Sequence, residues 1–288
     1  MNGSVRAKFW IGLVAVFYLS PLSVSAGEEK SFTITADSRV IAESDVNAMA
    51  GDIAIAESGF GIEHEYKIGG TLPLGLSFDY KHTDINENLP VNLPSHLEGR
   101  SFGIGTKFPM PFCASDSHFM GIDVFPSWYT DDWTWTDSAF RMPFRIYGIY
   151  KKSDAFIVVA GVSIRIDYDE SVLPILGIIY KPNDRLSFNF ASDDPNVTYQ
   201  WNEHWSVFGE LDFVRDEYEV TRGGQKGVVL KYRETSGGVG LRYHHDKLLQ
   251  ASLSVGSVMG RRLQYRDDIG KVEPDAAVYA RAKLSVLF

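Results

Sequence analysis

Ala276-Ala277-Val278-Tyr279-Ala280-Arg281-Ala282-Lys283-Leu284-Ser285-Val286-Leu287-Phe288 closes the chain. Ala276, Val278, Ala280, Ala282, Leu284, Val286 and Phe288 alternate with Ala277, Tyr279, Arg281, Lys283, Ser285 and Leu287. In an extended strand successive side chains point to opposite faces, so one face here is wholly apolar and the other carries Arg281 and Lys283. The same period of two runs back through the chain. Leu74, Leu76, Phe78 and Tyr80 alternate with Gly75, Ser77, Asp79 and Lys81, and Phe140, Met142, Phe144 and Ile146 with Arg141, Pro143 and Arg145. Phe156 to Ile166 sets Val158, Ala160 and Val162 against Gly161, Ser163 and Arg165. No stretch beyond residue 30 shows a convincing 3.6-residue repeat, so the expected class is all-β.

Two features separate a membrane barrel from a soluble β-sandwich. Several alternating runs reach about ten residues or more, the length of a tilted membrane strand. Aromatic residues also sit at the edges of the short turns: Tyr66 before 67–70, Tyr150 before 151–154, Tyr180 before 181–184, Trp201 and Trp205 around 202–204, and Tyr243 before 244–247. Aromatics at one height with polar residues beyond them form an interfacial girdle, for which a sandwich has no use. Fourteen antiparallel strands are expected, over 31–41, 52–67, 72–82, 100–109, 118–130, 139–150, 155–167, 172–181, 185–191, 196–202, 205–222, 227–244, 248–257 and 276–288. Twelve is the alternative, because 31–41 is weak and 196–202 short. The short turns then share the periplasmic side with the termini, and the longer connections 83–99, 131–138 and 258–275 fall outside. Gly223-Gly224 suits a tight hairpin turn between 205–222 and 227–244. That register sets Trp205 opposite Tyr243 and Glu217 opposite Lys231, and the hairpin is long enough to stand out as an extracellular flap.

The first 26 residues differ from the rest. Arg6 and Lys8 precede an apolar run from Phe9 to Leu19, Pro21 ends it, and Val24-Ser25-Ala26 precedes a cleavage point. This is the layout of a secretory signal peptide, leaving 27–288 as the barrel. Removing it takes the formal charge from -9 to -11, and an acidic chain has no electrostatic pull towards nucleic acid. No apolar run reaches the roughly 18 residues of a membrane-spanning helix. The single cysteine, Cys113, excludes a disulfide framework.

The final strand resembles the C-terminal strand of bacterial outer-membrane barrels, whose terminal Phe is read by the barrel assembly machinery; the resemblance implies that role for Phe288. The mature chain is similar throughout to a family of bacterial outer-membrane β-barrels classed as a domain of unknown function. The motifs carrying this are Lys181-Pro182-Asn183-Asp184, Pro195-Asn196-Val197-Thr198-Tyr199, Trp205-Ser206-Val207-Phe208-Gly209, Tyr218-Glu219-Val220, Gly238-Val239-Gly240-Leu241-Arg242-Tyr243 and the strand before Gly260-Arg261-Arg262. The resemblance implies a fold, an outer-membrane location and lipid surroundings for a monomer. It supplies no catalytic residues and no cofactor.

Strand alternation points Arg141, Arg145, Arg165, Asp167, Glu210, Asp212, Arg281 and Lys283 inward, with Glu63, Glu65, Asp79, Lys81 and Arg242. They either line a water-filled pore or pair across the lumen and close it. Arg141, Arg145 and Arg165 lie on adjacent strands as a cationic strip. The function expected is a passive pore or a structural barrel. The alternative is a lipid-modifying enzyme, for which His82 and His96 near the outer lip are the candidates, although no serine has a nucleophile context beside them. His204, His244, His245 and Asp246 read as a solvated turn and not a metal site, since adjacent strand residues face opposite ways. Leu173, Ile175 and Ile179 alternate with Val172, Leu176 and Ile178, making one strand apolar on both faces. Its inner face either accepts a lipid tail or hydrophobic solute, or packs against an inward-folded loop.

Overall fold

The structure, a computed structural model, describes residues 31–69, 72–111, 117–191, 195–245, 248–266 and 270–288. The signal-peptide segment, Cys113 and Asp246 lie outside these. Sixteen strands follow in order: β1 (Ser31–Asp45), β2 (Asp52–Ile68), β3 (Leu72–Glu87), β4 (His96–Pro109), β5 (His118–Val124), β6 (Ser127–Thr130), β7 (Phe140–Ser153), β8 (Phe156–Ile166), β9 (Val172–Asn183), β10 (Leu186–Asn189), β11 (Asn196–Gln200), β12 (Trp205–Arg222), β13 (Gln225–His245), β14 (Leu249–Tyr265), β15 (Lys271–Val272) and β16 (Ala277–Leu287). β5 and β6 are two halves of one crossing, broken at Phe125-Pro126, and β15 is a short strand in a loop that pairs with β14. Among the described residues the strands thus make fourteen crossings, each antiparallel to its neighbour. β1 pairs with β16 and β11 with β12, so the sheet closes on itself. Closure leaves no continuous free edge, a requirement for a sheet in lipid.

Burial is inverted relative to a soluble protein. Leu176 is 80% exposed and Leu253 68%, with Val40, Val162, Val239 and Val278 also on the outside, whereas Arg39 is 3% exposed and Glu57, Glu234 and Arg261 are buried. An apolar band around the outside with charge within is the transmembrane arrangement, and a sandwich would show the reverse.

The hairpin register is as the sequence predicts: Trp205 faces Tyr243 and Glu217 faces Lys231, with Gly223 and Gly224 at φ +55° and +84° in the turn. Its attitude is not as expected. The tip of β12–β13 is no free-standing flap, because it leans over the barrel mouth, where the Asp131 N–H donates to the Glu219 carbonyl and Thr136 Oγ1 to Glu219. Several strands also run further than their apolar alternation: β1 reaches Asp45, β3 Glu87 and β14 Tyr265, while β4 begins at His96. Backbone pairing continues above the apolar band because water and neighbouring loops satisfy the side chains there.

The principal apolar core is at this far end. Ile41, Ile53, Ile55, Ile85 and Leu97 from the walls meet Tyr218, Val220, Leu230 and Tyr232 from the leaning hairpin. Leu93, with Leu89 and Val91 packed against the cluster, comes from the connection between β3 and β4, and Tyr265 Oη donates to the Asn92 carbonyl at 2.8 Å. Loops and hairpin tip together fill the mouth.

Candidate functional site

Beneath the apolar seal lies a buried polar layer. Arg39 Nη1 donates to Glu234 at 2.6 Å and to Glu57 at 3.2 Å, and Lys81 Nζ meets Glu57 at 2.8 Å. Tyr232 Oη donates to Glu234 at 2.6 Å, and the Arg39 guanidinium lies 4.4 Å from the centre of the Tyr279 ring. Tyr279 Oη in turn donates to Glu210 at 2.9 Å. Room for that ring depends on Gly238, where an added Cβ would stand 2.3 Å from Tyr279 Oη. Opposite charges converge here at low exposure, so this layer is a sealed ion-pair network.

Below it the lumen opens towards the termini. A cavity of about 500 Å³ is lined by Asp37, Asp79, Asp212, Arg281 and Lys283 among others. A second of about 870 Å³ lies among the turns at the termini end, with Arg185, Asn189, Asn196, Arg242 and His244 on its wall. Arg281 Nε donates to Asp37 at 2.6 Å, and Glu210 also accepts from Ser254 Oγ at 2.6 Å.

The expected cationic strip does not form as one surface. Arg141 Nη1 donates to the carbonyls of Ser138 and Phe140 at 2.7 and 2.8 Å. Arg165 lies 3.8 Å from the centre of the Tyr168 ring and donates to the Arg215 carbonyl at 2.5 Å. Arg145 stacks over Phe125 at 4.8 Å. Asp167 sits just beyond β8 with φ +67°, and its carbonyl accepts from Arg266. Arg39, Glu57, Glu234 and Arg261, the centre of the sealed layer, were not among the sequence candidates. Glu57 shares its odd register on β2 with Glu63 and Glu65, and that parity is the signal that identifies it.

The aromatic residues occupy the termini end. Trp205 and Tyr243 pack at 4.9 Å, Tyr150 meets His118 at 4.9 Å, and Tyr180 lies between Phe156 and Phe188, each at 6.2 Å. Tyr66 stacks on His64, and Trp201 is exposed. Phe288 exchanges backbone hydrogen bonds with Phe32, and their rings are 6.0 Å apart.

On the outer wall near the mouth, His82 is held by carboxylates on both ring nitrogens, Glu98 on Nδ1 and Asp84 on Nε2, each at 3.1 Å. His96 stacks with His82 and contacts Ser95, its neighbour in sequence. The hydroxyl beside this pair is that of Ser95, 3.1 Å from His96 Nδ1. Among the described residues no three His, Cys, Asp or Glu side chains converge on a metal position.

The fold and lumen define a class: a closed fourteen-strand transmembrane β-barrel with a polar interior. A FadL homologue of Pseudomonas aeruginosa superposes with a TM-score of 0.50 at 11% identity, covering 90% of each chain. An outer-membrane channel of Pseudomonas putida F1 gives 0.46 at 10% identity over 94% of this chain and 100% of that one, and the KdgM porin gives 0.38 at 11% over 88% and 98%. No family model matches the chain, and no curated protein matches it in sequence. The likeness is one of fold.

Proposed function

We propose that this chain is a passive channel-type barrel of the bacterial outer membrane in its closed state. The termini and short turns face the periplasm, and the sealed mouth faces outward. One observation carries the reading. The seal is assembled from the 88–95 connection and the leaning hairpin as well as from wall side chains, so part of it is removable without dismantling the barrel. A structural barrel needs no polar cavities beneath such a lid; a channel does. Its surroundings are outer-membrane lipids, and it works as a monomer inserted by the barrel assembly machinery.

The test is conductance of the purified, refolded chain in a planar bilayer. The native chain is expected to be nearly silent, and replacing 88–95 by a short Gly-Ser linker to produce discrete ion-conducting steps. Silence from both, with the barrel verified by heat-modifiable gel mobility, would overturn the channel reading.

A further inference from the structure

β14 changes faces partway along its length. In its lower part Ser254 and Val258 are buried, while Leu253, Val255 and Met259 are exposed on the outside. Even-numbered residues therefore point inward up to Val258. Above Met259 the parity is reversed: Arg261, Leu263 and Tyr265 are each 2% exposed or less, and the Arg262 side chain reaches solvent. One extra residue makes the reversal. Thr235 on β13 pairs with Met259 and Arg233 with Arg262, so Glu234 alone stands opposite both Gly260 and Arg261. Gly260 has φ +62°, the left-handed conformation of the first residue in a glycine bulge. A Cβ added at 260 would meet nothing within 4 Å, so glycine serves there for its φ and not for space.

This bulge assembles the closed mouth. It aims Arg261 at the ion-pair layer, and it delivers Leu263 and Tyr265 to the apolar seal, paired with Tyr232 and Leu230. The layer receives Arg261 poorly. Its Nη2 donates to Ser44 Oγ at 2.8 Å, but among the described residues Nε and Nη1 are buried without an acceptor. The carboxylates nearby are already engaged, Glu57 by Arg39 and Lys81, and Glu234 by Arg39 and Tyr232. A buried charged group with unmet donors is costly. Burial of Leu263 and Tyr265 thus holds the bulge in place, and Arg261 opposes it.

A slip of one residue exchanges the two faces of a strand. With the bulge undone, Glu234 stands opposite Gly260 alone, Arg233 opposite Arg261, Tyr232 opposite Arg262 and Leu230 opposite Gln264. Arg261, Leu263 and Tyr265 then point outward, and Arg262, Gln264 and Arg266 point into the mouth. The run Arg261-Arg262-Leu263-Gln264-Tyr265-Arg266 therefore carries two complete faces. One reads Arg-Leu-Tyr and seals; the other reads Arg-Gln-Arg and is hydrophilic throughout. Each begins with arginine, so the ion-pair layer receives a guanidinium from β14 in either register. Only the seal changes character. The slip breaks Arg262 from Glu273 and Arg266 from Glu217, pairs whose arginines reach solvent and which are individually weak.

We propose that the Gly260–Arg261 bulge is a register switch for the mouth. With the bulge, β14 contributes an apolar face and the seal is complete. Without it, the same segment presents its hydrophilic face to the lumen and the seal opens. This rests on the channel reading and supplies its opening step.

Disulfide trapping in the full chain tests it, on a Cys113→Ser background. Arg233→Cys with Arg262→Cys scores the present register, in which the two positions are directly paired. Arg233→Cys with Arg261→Cys scores the slipped one, because in the present register these side chains point to opposite faces and cannot be bridged. Gly260→Ala penalises the left-handed φ, and should raise the ratio of slipped to present cross-link by about tenfold. The same variant should show ion-conducting steps in a planar bilayer. Deleting Gly260 removes the extra residue yet keeps Arg261, Leu263 and Tyr265 inward, so it should give the 233–262 cross-link alone and no conductance. Leu263→Gln, which weakens the sealing face without touching the backbone, should shift the ratio in the same direction as Gly260→Ala, and stands in for it should that variant fail to insert. An unchanged ratio in the inserted variants would overturn the switch. A shifted ratio without conductance would keep the slip and remove the channel reading, so the two failures are distinguishable.

Discussion

Arg39 pairs with two buried carboxylates, Glu57 and Glu234, at the roof of the 500 Å³ cavity. Removing one member of a buried ion pair leaves the other charge uncompensated, at about 3–5 kcal/mol. Arg39→Ala is therefore expected to lower stability to urea by that order, with Glu234 the group most exposed to the loss, since Glu57 keeps Lys81. The double change Arg39→Met with Glu234→Gln should recover part of it, read from the same unfolding curves. Phe288 acts at the other end of the molecule. Its backbone hydrogen bonds to Phe32 stitch the last strand to the first, and its ring is exposed at the termini end. Deleting it should reduce heat-modifiable, membrane-inserted protein at native expression while secretion continues, and more than Leu287→Ala does. Unchanged insertion would remove Phe288 from assembly. These two residues differ in how visible they were: a terminal aromatic on an alternating strand is local information, whereas the partners of Arg39 lie 18 and 195 positions away.

Each strand has one face in lipid and one in the lumen, so substitutions should divide by parity. Val255 on β14 is on the exposed face, and Val255→Arg should cost about 2–4 kcal/mol near mid-membrane. Ser163→Arg on the inward face of β8 should cost less where the lumen is wet. Equal damage from both would argue for a dry, tightly packed interior, and urea unfolding of the two variants decides. The connection between β8 and β9 offers a pH test. Hydrogen bonding from Lys231 holds the Asp169 carboxyl below its ordinary value of 3.8. A depressed carboxylate contributes to stability above its unfolded pKa and loses that contribution as pH falls through the folded one. The 167–171 connection should thus remain docked on β12 at pH 5 and release only well below about 3.8, measured by protease cleavage within it. Release at pH 5 would show that Asp169 does not hold it. Strand positions and register were legible because alternation and turn residues are written within each hairpin. The upper limits were not, since above the apolar band both faces become polar and the period of two fades.

At the scale of the whole molecule, the barrel is a wall, a buried ion-pair layer and an apolar lid. The sequence by itself determined the first: all-β class, fourteen crossings, their order and the parity of each strand, because each depends on neighbours two residues apart or across one short turn. What only the tertiary structure decided is whether the lumen is open. Inward charges of both signs are compatible with a wet pore or with paired closure, and the choice depends on which side chains meet across the barrel. The hairpin shows the same limit: its register follows from Gly223-Gly224, but its lean over the mouth follows from Tyr218, Val220, Leu230 and Tyr232 finding apolar partners on β1, β2, β3 and β14. Local periodicity reports which face a residue occupies; only closure of the barrel brings distant faces together, and that is where burial, ion pairing and the seal arise.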